Sequence, residues 1–573
     1  MRIKKYWIGI ISLIIISCSP SNKNSSLDFD PYHYTIQKKL VAENGAVVSA
    51  HPLASEVGLS ILKQGGNAVD ASIATQLALA VVYPGAGNLG GGGFMVAHLA
   101  DGKELAIDYR EMAPGKAHRD MYIDAAGQAR TDKSQDGHLS SGVPGTVAGL
   151  FASAKYAKLS FDKLIQPAIE LAEKGFVISK SEANSLNGLQ SELLQFNTVI
   201  PVFVKTVGWK EGDTLVQKDL ANTLKRIKEK GAAGFYEGET AKLIVEEMKR
   251  GSGIISYEDL KNYQPKFRDP HVFDYKGYRI VAMPMPSSGG ILLHQMMKMI
   301  ENRNIGAMGF HSPQAVQLMV EAERRAYADR AEYMGDADFY KVPVSMLTND
   351  VYLQERMKNY DSLKATPSSE IKPGSLQAAK ESEETTHLSV IDKEGNAVAV
   401  TTTLNNSYGS RTVVGGAGFF LNDEMDDFSI KPGVPNMYGA IGGEANAISA
   451  GKRMLSSMAP TLVLKDNKPF LVAGTPGGTT IPTSVFQTLV NIIEFGMSTE
   501  DAVYKPKFHH QWLPDEVNIE REFPATTTEA LQKMGYVIID RGKIGRTEVI
   551  KVLPDGKFEA VGDNRGDDDA RGW

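Results

Sequence analysis

The sequence predicts an α+β fold, with helices and strands in separate stretches of the chain. Three observations point there: paired helical patterns over 54–82, a long helical pattern from 312 to 333, and a switch to strand alternation after 384. The first helix carries Val57, Ile61 and Leu62 at helical spacing and stops at Gly65-Gly66. The second, from about Asn67, carries Val69, Ile73, Leu77 and Ala80. At 312, Ser-Pro supplies an N-cap and a proline at the first helical position. Val316, Met319, Val320, Ala326 and Tyr327 continue the pattern to Tyr333.

Residues 365–384 are polar and rich in Pro, Ser and Glu, which predicts an exposed linker or flexible strap. His387 to Ile391 and Ala397 to Leu404 then read as the two arms of a hairpin, with Val398, Val400 and Thr402 alternating. The loop Lys393-Glu394-Gly395 puts glycine where a type I turn plus bulge needs a left-handed residue. Pairing symmetric about Glu394 sets Thr385 opposite Thr403, with Cβ atoms about 5 Å apart. A slip of one residue would undo this.

At 573 residues the chain is long enough for roughly four domains or one large interwoven one. Hydrophobic residues at 42% and charged residues at 23% exclude a disordered chain and a polytopic membrane protein. A net charge of −6 with no basic block gives no reason to expect nucleic acid as a partner. The N-terminus has Arg2, Lys4 and Lys5, then an apolar run from Trp7 to Ile16 that is too short to span a bilayer. Ile15-Ile16-Ser17-Cys18 resembles a bacterial lipobox, which implies cleavage before Cys18, acylation of its thiol and a polar tether. The expected place is periplasmic or attached to an outer membrane. Cys18 is the only cysteine, so an intramolecular disulfide and a thiol nucleophile in the folded body are both excluded.

Two motifs invite chemistry that their context does not support. Gly85-Ala86-Gly87-Asn88-Leu89-Gly90 spells G-x-G-x-x-G, but a helical pattern precedes it and a strand pattern, Gly91 to Val96, follows, the reverse of a dinucleotide site. His509-His510 has no companion at ligand spacing, and neighbouring side chains in a strand point apart.

The remaining candidates are Glu384-Thr385-Thr386-His387, Asn405, Asp426-Asp427, Ser456-Ser457 and Gly477-Gly478, each of which also has an ordinary structural explanation. Together they carry a resemblance. Thr385 to Val390 (TTHLSV), Gly395 to Thr401 (GNAVAVT), Asn422 to Phe428 (NDEMDDF), Leu455 to Met458 (LSSM), Pro476-Gly477-Gly478 and Phe508 to Asp515 (FHHQWLPD) resemble the γ-glutamyltranspeptidases. So do Gly65 to Ala71 (GGNAVDA), Gly87 to Met95 (GNLGGGGFM) and Asp108 to Glu111 (DYRE), in the family's order from about residue 36 onward.

The resemblance implies one interwoven N-terminal nucleophile (Ntn) hydrolase fold, a four-layer αββα sandwich formed jointly by two chains of one precursor. The implied parts are a signal peptide (1–17), a lipid-anchored tether (18–35), a large subunit (36–384) and a small catalytic subunit (385–573). Cleavage between Glu384 and Thr385 would give Thr385 an α-amine, with an unperturbed pKa of about 7.7–8.0, to act as base for its own hydroxyl. By motif, Thr385 is the nucleophile, Thr403 its hydroxyl partner, and Gly477 and Gly478 the oxyanion donors. Arg110, Ser456 and Ser457 would take a substrate α-carboxylate, and Asn405, Glu424 and Asp427 its ammonium. Residues 432–443 resemble a lid loop, with Tyr438 as an aromatic cap.

The implied substrates are glutathione and other γ-glutamyl compounds, with water, amino acids or dipeptides as acceptors and no metal or organic cofactor. Met454 and Ala459 depart from residues common in the family. The rival readings are a glutaryl-cephalosporin acylase and a surface lipoprotein that only binds peptides.

Overall fold

The hairpin forms where the alternation places it. Strands Thr385–Asp392 and Ala397–Thr403 pair antiparallel, with Thr385 opposite Thr403 and Ile391 opposite Ala397. Gly395, at φ 93°, takes the left-handed position of the turn. Asp392 secures that turn, accepting from the amides of Glu394 and Asn396 and, across the fold, from the amide of Ala68 at 2.8 Å.

The computed structural model describes residues 27–371 and 385–573. The signal segment, the lipobox with Cys18, and Glu384 lie outside the described residues. Among those described, no helix is long and apolar enough to cross a membrane.

Two seven-stranded sheets, antiparallel throughout, form the centre. One runs in the order Asp569–Gly572, Gly45–Ser49, Thr385–Asp392, Ala397–Thr403, Gly92–His98, Glu104–Asp108, Lys266–Arg268. The other runs Lys39–Ala42, Phe558–Val561, Glu548–Val552, Lys468–Gly474, Thr461–Lys465, Tyr278–Ala282, His271–Tyr275. The period of two sorts their side chains. Leu388, Val390, Val398 and Val400 pack with Val69, Ile73 and Leu77 of the N-terminal helices. Ile391, Ala397 and Ala399 pack with Ala473, Val549 and Ala560 of the facing sheet. Each buried Val or Leu contributes about 1.5–3 kcal/mol relative to exposure, and the small alanines let the two sheets approach closely. By the same period, Thr385, His387, Thr401 and Thr403 sit on the face turned toward the other sheet.

The helical pair spans Pro52–Lys63 and Ala68–Val82. Asn67 caps the second helix in a capping box with Asp70, an arrangement that contributes about 1 kcal/mol. The long helix is Pro313–Tyr333, with Ser312 accepting from the amide of Ala315 at 3.1 Å. It is more deeply buried than a surface helix and carries Glu321, Glu323, Arg324, Arg325, Asp329 and Arg330 into the interior.

One expectation fails for the part of it that is described. Residues 365–371, read as the start of an exposed strap, contain the buried Thr366, Ser368 and Ile371. The Trp512 indole donates to the Ser368 and Ile371 carbonyls at 3.1 Å, and the Ser368 amide donates to Asp515 at 2.7 Å. A tertiary partner overrides composition there. The rest of the strap, 372–384, lies outside the described residues.

Candidate active site

Thr385 opens its strand, is 4% exposed, and has its Oγ1 3.5 Å from the Thr403 Oγ1. The Thr403 hydroxyl accepts from the Asn405 amide at 2.8 Å, and either threonine hydroxyl can donate to the other. Asn405 holds φ at 77°, so the chain turns sharply as it leaves the strand. The glycine-rich turn read as no nucleotide site lies between the helix Ala68–Val82 and the strand Gly92–His98. Its Asn88 side chain donates to the Thr403 carbonyl at 2.9 Å and to Thr402 Oγ1 at 3.2 Å. Gly91 lets this turn in: a Cβ there would stand 2.1 Å from the Thr403 carbonyl oxygen.

His387, two residues past Thr385, is fully buried. Its ring nitrogens meet Thr401 Oγ1 at 2.9 Å and Ser389 Oγ at 3.1 Å, and burial pulls its pKa down to about 3. It is a neutral strut with neither nitrogen free to serve Thr385.

One narrow pocket brings the other candidates to the threonines. Arg110, Asn405, Glu424, Asp427, Tyr438, Ser456, Ser457 and Gly478 line it with Thr385 and Thr403. Gly477 precedes Gly478 in the turn before the helix Thr480–Ile493. The two glycines sit at φ 135° and 54°, and their amides have no acceptor among the described residues. A Cβ on Gly478 would come within 2.6 Å of the Tyr438 ring, so that ring and the turn are closely packed. The Tyr438 hydroxyl donates to the Asn405 carbonyl, and Asn436 in the same loop donates to Asp427 at 3.0 Å. A larger cavity, lined by Tyr83, Ser407, Gly545 and Arg546 among others, lies behind this turn and contains neither threonine.

The charged end departs from the division read in the sequence. Arg110, assigned to an anion, is 2.5 Å from Glu424, 3.4 Å from Glu111, and hydrogen-bonded to Asp427, so the two receptor groups are in contact. Burial works against the Arg110 charge, but Glu424, Glu111 and Asp427 outweigh it and hold the guanidinium above its ordinary pKa. Burial lifts Glu424 well above the carboxylate range, against the pull of Arg110, and Glu111 up to about 7. This end of the pocket can hold a proton or a substrate ammonium.

Ser456 Oγ accepts from the Met458 amide at 3.1 Å. Ser457 Oγ accepts at 3.1 Å from Arg330, a residue sequence reasoning missed. A charged residue recurring inside an otherwise apolar helical stripe was the one available signal.

His509 and His510 are buried and hydrogen-bonded, His509 to Thr483 and Gln511, His510 to the Trp512 amide and Asp515. Both serve packing. Among the described residues no cluster of His, Cys, Asp and Glu has the geometry to hold a metal.

A model of the family described as gamma-glutamyltranspeptidase matches residues 54–573. The chain is 48% identical over 535 residues to the glutathione hydrolase proenzyme of Escherichia coli (strain K12), covering 92% of this chain and 91% of that protein. Among solved structures it is similar to a cephalosporin acylase from Bacillus halodurans, with a TM-score of 0.82 and 26% identity over 96% of this chain and 99% of that one. It is also similar to Helicobacter pylori gamma-glutamyltranspeptidase, with a TM-score of 0.56 and 46% identity over 60% of this chain and 97% of that one.

Proposed function

The chain belongs to the γ-glutamyltranspeptidase family, and we propose that Thr385, freed as the first residue of a small chain, carries its γ-glutamyltransferase and glutathione hydrolase activity. The supporting observation is the Thr385–Thr403 hydroxyl pair at the mouth of a strand, facing a pocket with two glycine amides that have no acceptor among the described residues. The fold is then the four-layer αββα arrangement of Ntn hydrolases, assembled from a large chain (18–384) and a small chain (385–573).

In the precursor, the Thr385 Oγ attacks the Glu384 carbonyl carbon. The peptide nitrogen leaves as the Thr385 amine, and water hydrolyses the resulting ester. With a substrate, the same oxygen attacks the γ-amide carbon and its proton passes to the α-amine, the one base in reach once His387 is accounted for. The amides of Gly477 and Gly478 receive the negative oxygen; one such donor is typically worth about 3 kcal/mol. Collapse expels the amine of the leaving peptide, which takes the proton. Water or an acceptor amine then resolves the γ-glutamyl ester.

Arg110, Ser456 and Ser457 hold the α-carboxylate, while Asn405, Glu424 and Asp427 hold the ammonium. The carboxylates of this wall are redundant for a glutaryl side chain, which has no amine, and this favours γ-glutamyl donors over an acylase role. Acylation of Cys18 would tether the exported protein to a membrane surface.

The test is denaturing electrophoresis with N-terminal sequencing. The active protein runs as two bands, the smaller beginning TTHLSV, and Thr385→Ala leaves one inactive band. A wild-type protein that remains whole while turning over γ-glutamyl-p-nitroanilide defeats the reading.

A further inference from the structure

The serine wall of the pocket is backed by a cation, Arg330, that forms no ion pair with any carboxylate among the described residues. Arg330 lies near the C-terminal end of the helix Pro313–Tyr333, is 7% exposed, and lines the pocket beside Ser457. Burying an unpaired cation is costly. The neighbouring arginines of the helix avoid that cost, Arg324 by pairing with Asp515 and Arg325 with Glu321 at 2.5 Å. Arg330 has no carboxylate within ion-pairing distance among the described residues. Its Nε donates to Ser288 Oγ at 3.0 Å and its Nη2 to Ser457 Oγ at 3.1 Å.

These bonds give the serines a direction. A hydroxyl carries one proton, and Ser457 Oγ, already accepting from Arg330, must use that proton elsewhere. Ser457 is 9% exposed to the pocket, which is where the proton can point. Ser288 relays the second bond, donating its hydroxyl to the Ser456 carbonyl at 2.8 Å, so one guanidinium braces both serines. Across the pocket, the Arg110 charge is shared among Glu111, Glu424 and Asp427. The cation left with charge to spare is Arg330. One turn earlier, the Tyr327 hydroxyl donates to the Thr479 carbonyl beside the oxyanion glycines, so the same helix registers the serine wall against the reacting end.

We propose that Arg330 is the positioning residue of the carboxylate subsite, turning the Ser457 hydroxyl into a donor and supplying the unneutralised positive charge that a substrate carboxylate meets. This rests on the γ-glutamyl reading above. The ligand class is an acyl donor with a carboxylate at the distance from the scissile amide that a γ-glutamyl group provides.

Three p-nitroanilides test it: γ-glutamyl (carboxylate and amine), glutaryl (carboxylate alone) and 4-aminobutyryl (amine alone). Arg330→Gln should raise KM roughly 10–100-fold for the first two with kcat within a few-fold, and leave kcat/KM for the third within about two-fold. Arg330→Lys, which keeps the charge and loses the fork, should fall between. Two bands on a denaturing gel and an unchanged Tm certify the fold of each variant. If Arg330→Gln fails to mature, Arg330→Lys must still show the KM rise confined to the carboxylate-bearing substrates. An equal loss on all three substrates, or none on the carboxylate-bearing pair, overturns the proposal. A wild-type protein inactive on γ-glutamyl-p-nitroanilide would instead sink the functional reading on which it stands.

Discussion

The two ends of the pocket are built from different materials. On the reading proposed above, the reacting end consists of neutral groups fixed by backbone: two threonines set by strand register, a strand-exit amide on Thr403, and two glycine amides in a turn. The recognition end adds to Asn405, Ser456 and Ser457 a set of charged side chains from segments far apart in the chain, with Arg110 meeting Asp427 across 317 positions. Backbone geometry tolerates little change of shape, whereas a charge network tolerates little change of charge. Substitutions at the two ends should therefore fail in different ways.

The largest effect is expected at the charged end. Asp427→Ala strips Arg110 of a partly buried partner and should lower kcat/KM for γ-glutamyl-p-nitroanilide about 10²–10³-fold. The two-band pattern should persist, because Asp427 does not touch the hydroxyl pair. Parallel loss of maturation and turnover would erase the contrast between the ends.

At the reacting end, Gly478→Ala places a Cβ against the Tyr438 ring at a positive φ and should lower kcat about 10²-fold for every acyl donor alike, read by steady-state kinetics on glutaryl and γ-glutamyl anilides. A loss confined to KM would show that this turn serves binding instead.

The smallest effect concerns stability. Burial raises the Asp426 carboxyl from 3.8 to about 7, against opposing bonds from Ser134 and the Met437 amide. The native state therefore holds that proton more tightly than the unfolded chain does. The stabilisation is complete below about pH 4 and drains away as pH rises through 7. Asp426→Asn should flatten the Tm profile between pH 4 and 7 by a few degrees. An unchanged slope would place the titration elsewhere.

The same contrast governs what could be read before folding. Local periodicity with a defined turn fixed the Thr385–Thr403 pairing to the residue, and the helical pair and the Ser312 cap followed from equally local rules. The pocket residues came as separate motifs whose meeting no spacing could reveal. The resemblance named them, yet assigned Arg110 and Asp427 to opposite charges of a ligand without showing that they bind each other. The helical stripe could flag Arg330 only as an odd charge; that no described carboxylate comes within ion-pairing distance of it is something only three-dimensional neighbours reveal. The beginning of the strap misled because Trp512, 144 residues from Ser368, supplies the burial that its composition withholds.

The strand order has a further consequence for a chain severed before Thr385. The segment that begins there is zipped on one side to Gly45–Ser49, upstream of the cut, and that strand is flanked in turn by Asp569–Gly572, from the far end downstream. Such pieces are interleaved like the fingers of clasped hands. They could not drift apart or trade places with those of another molecule without melting the sheet, so for this protein falling apart and unfolding would be a single event.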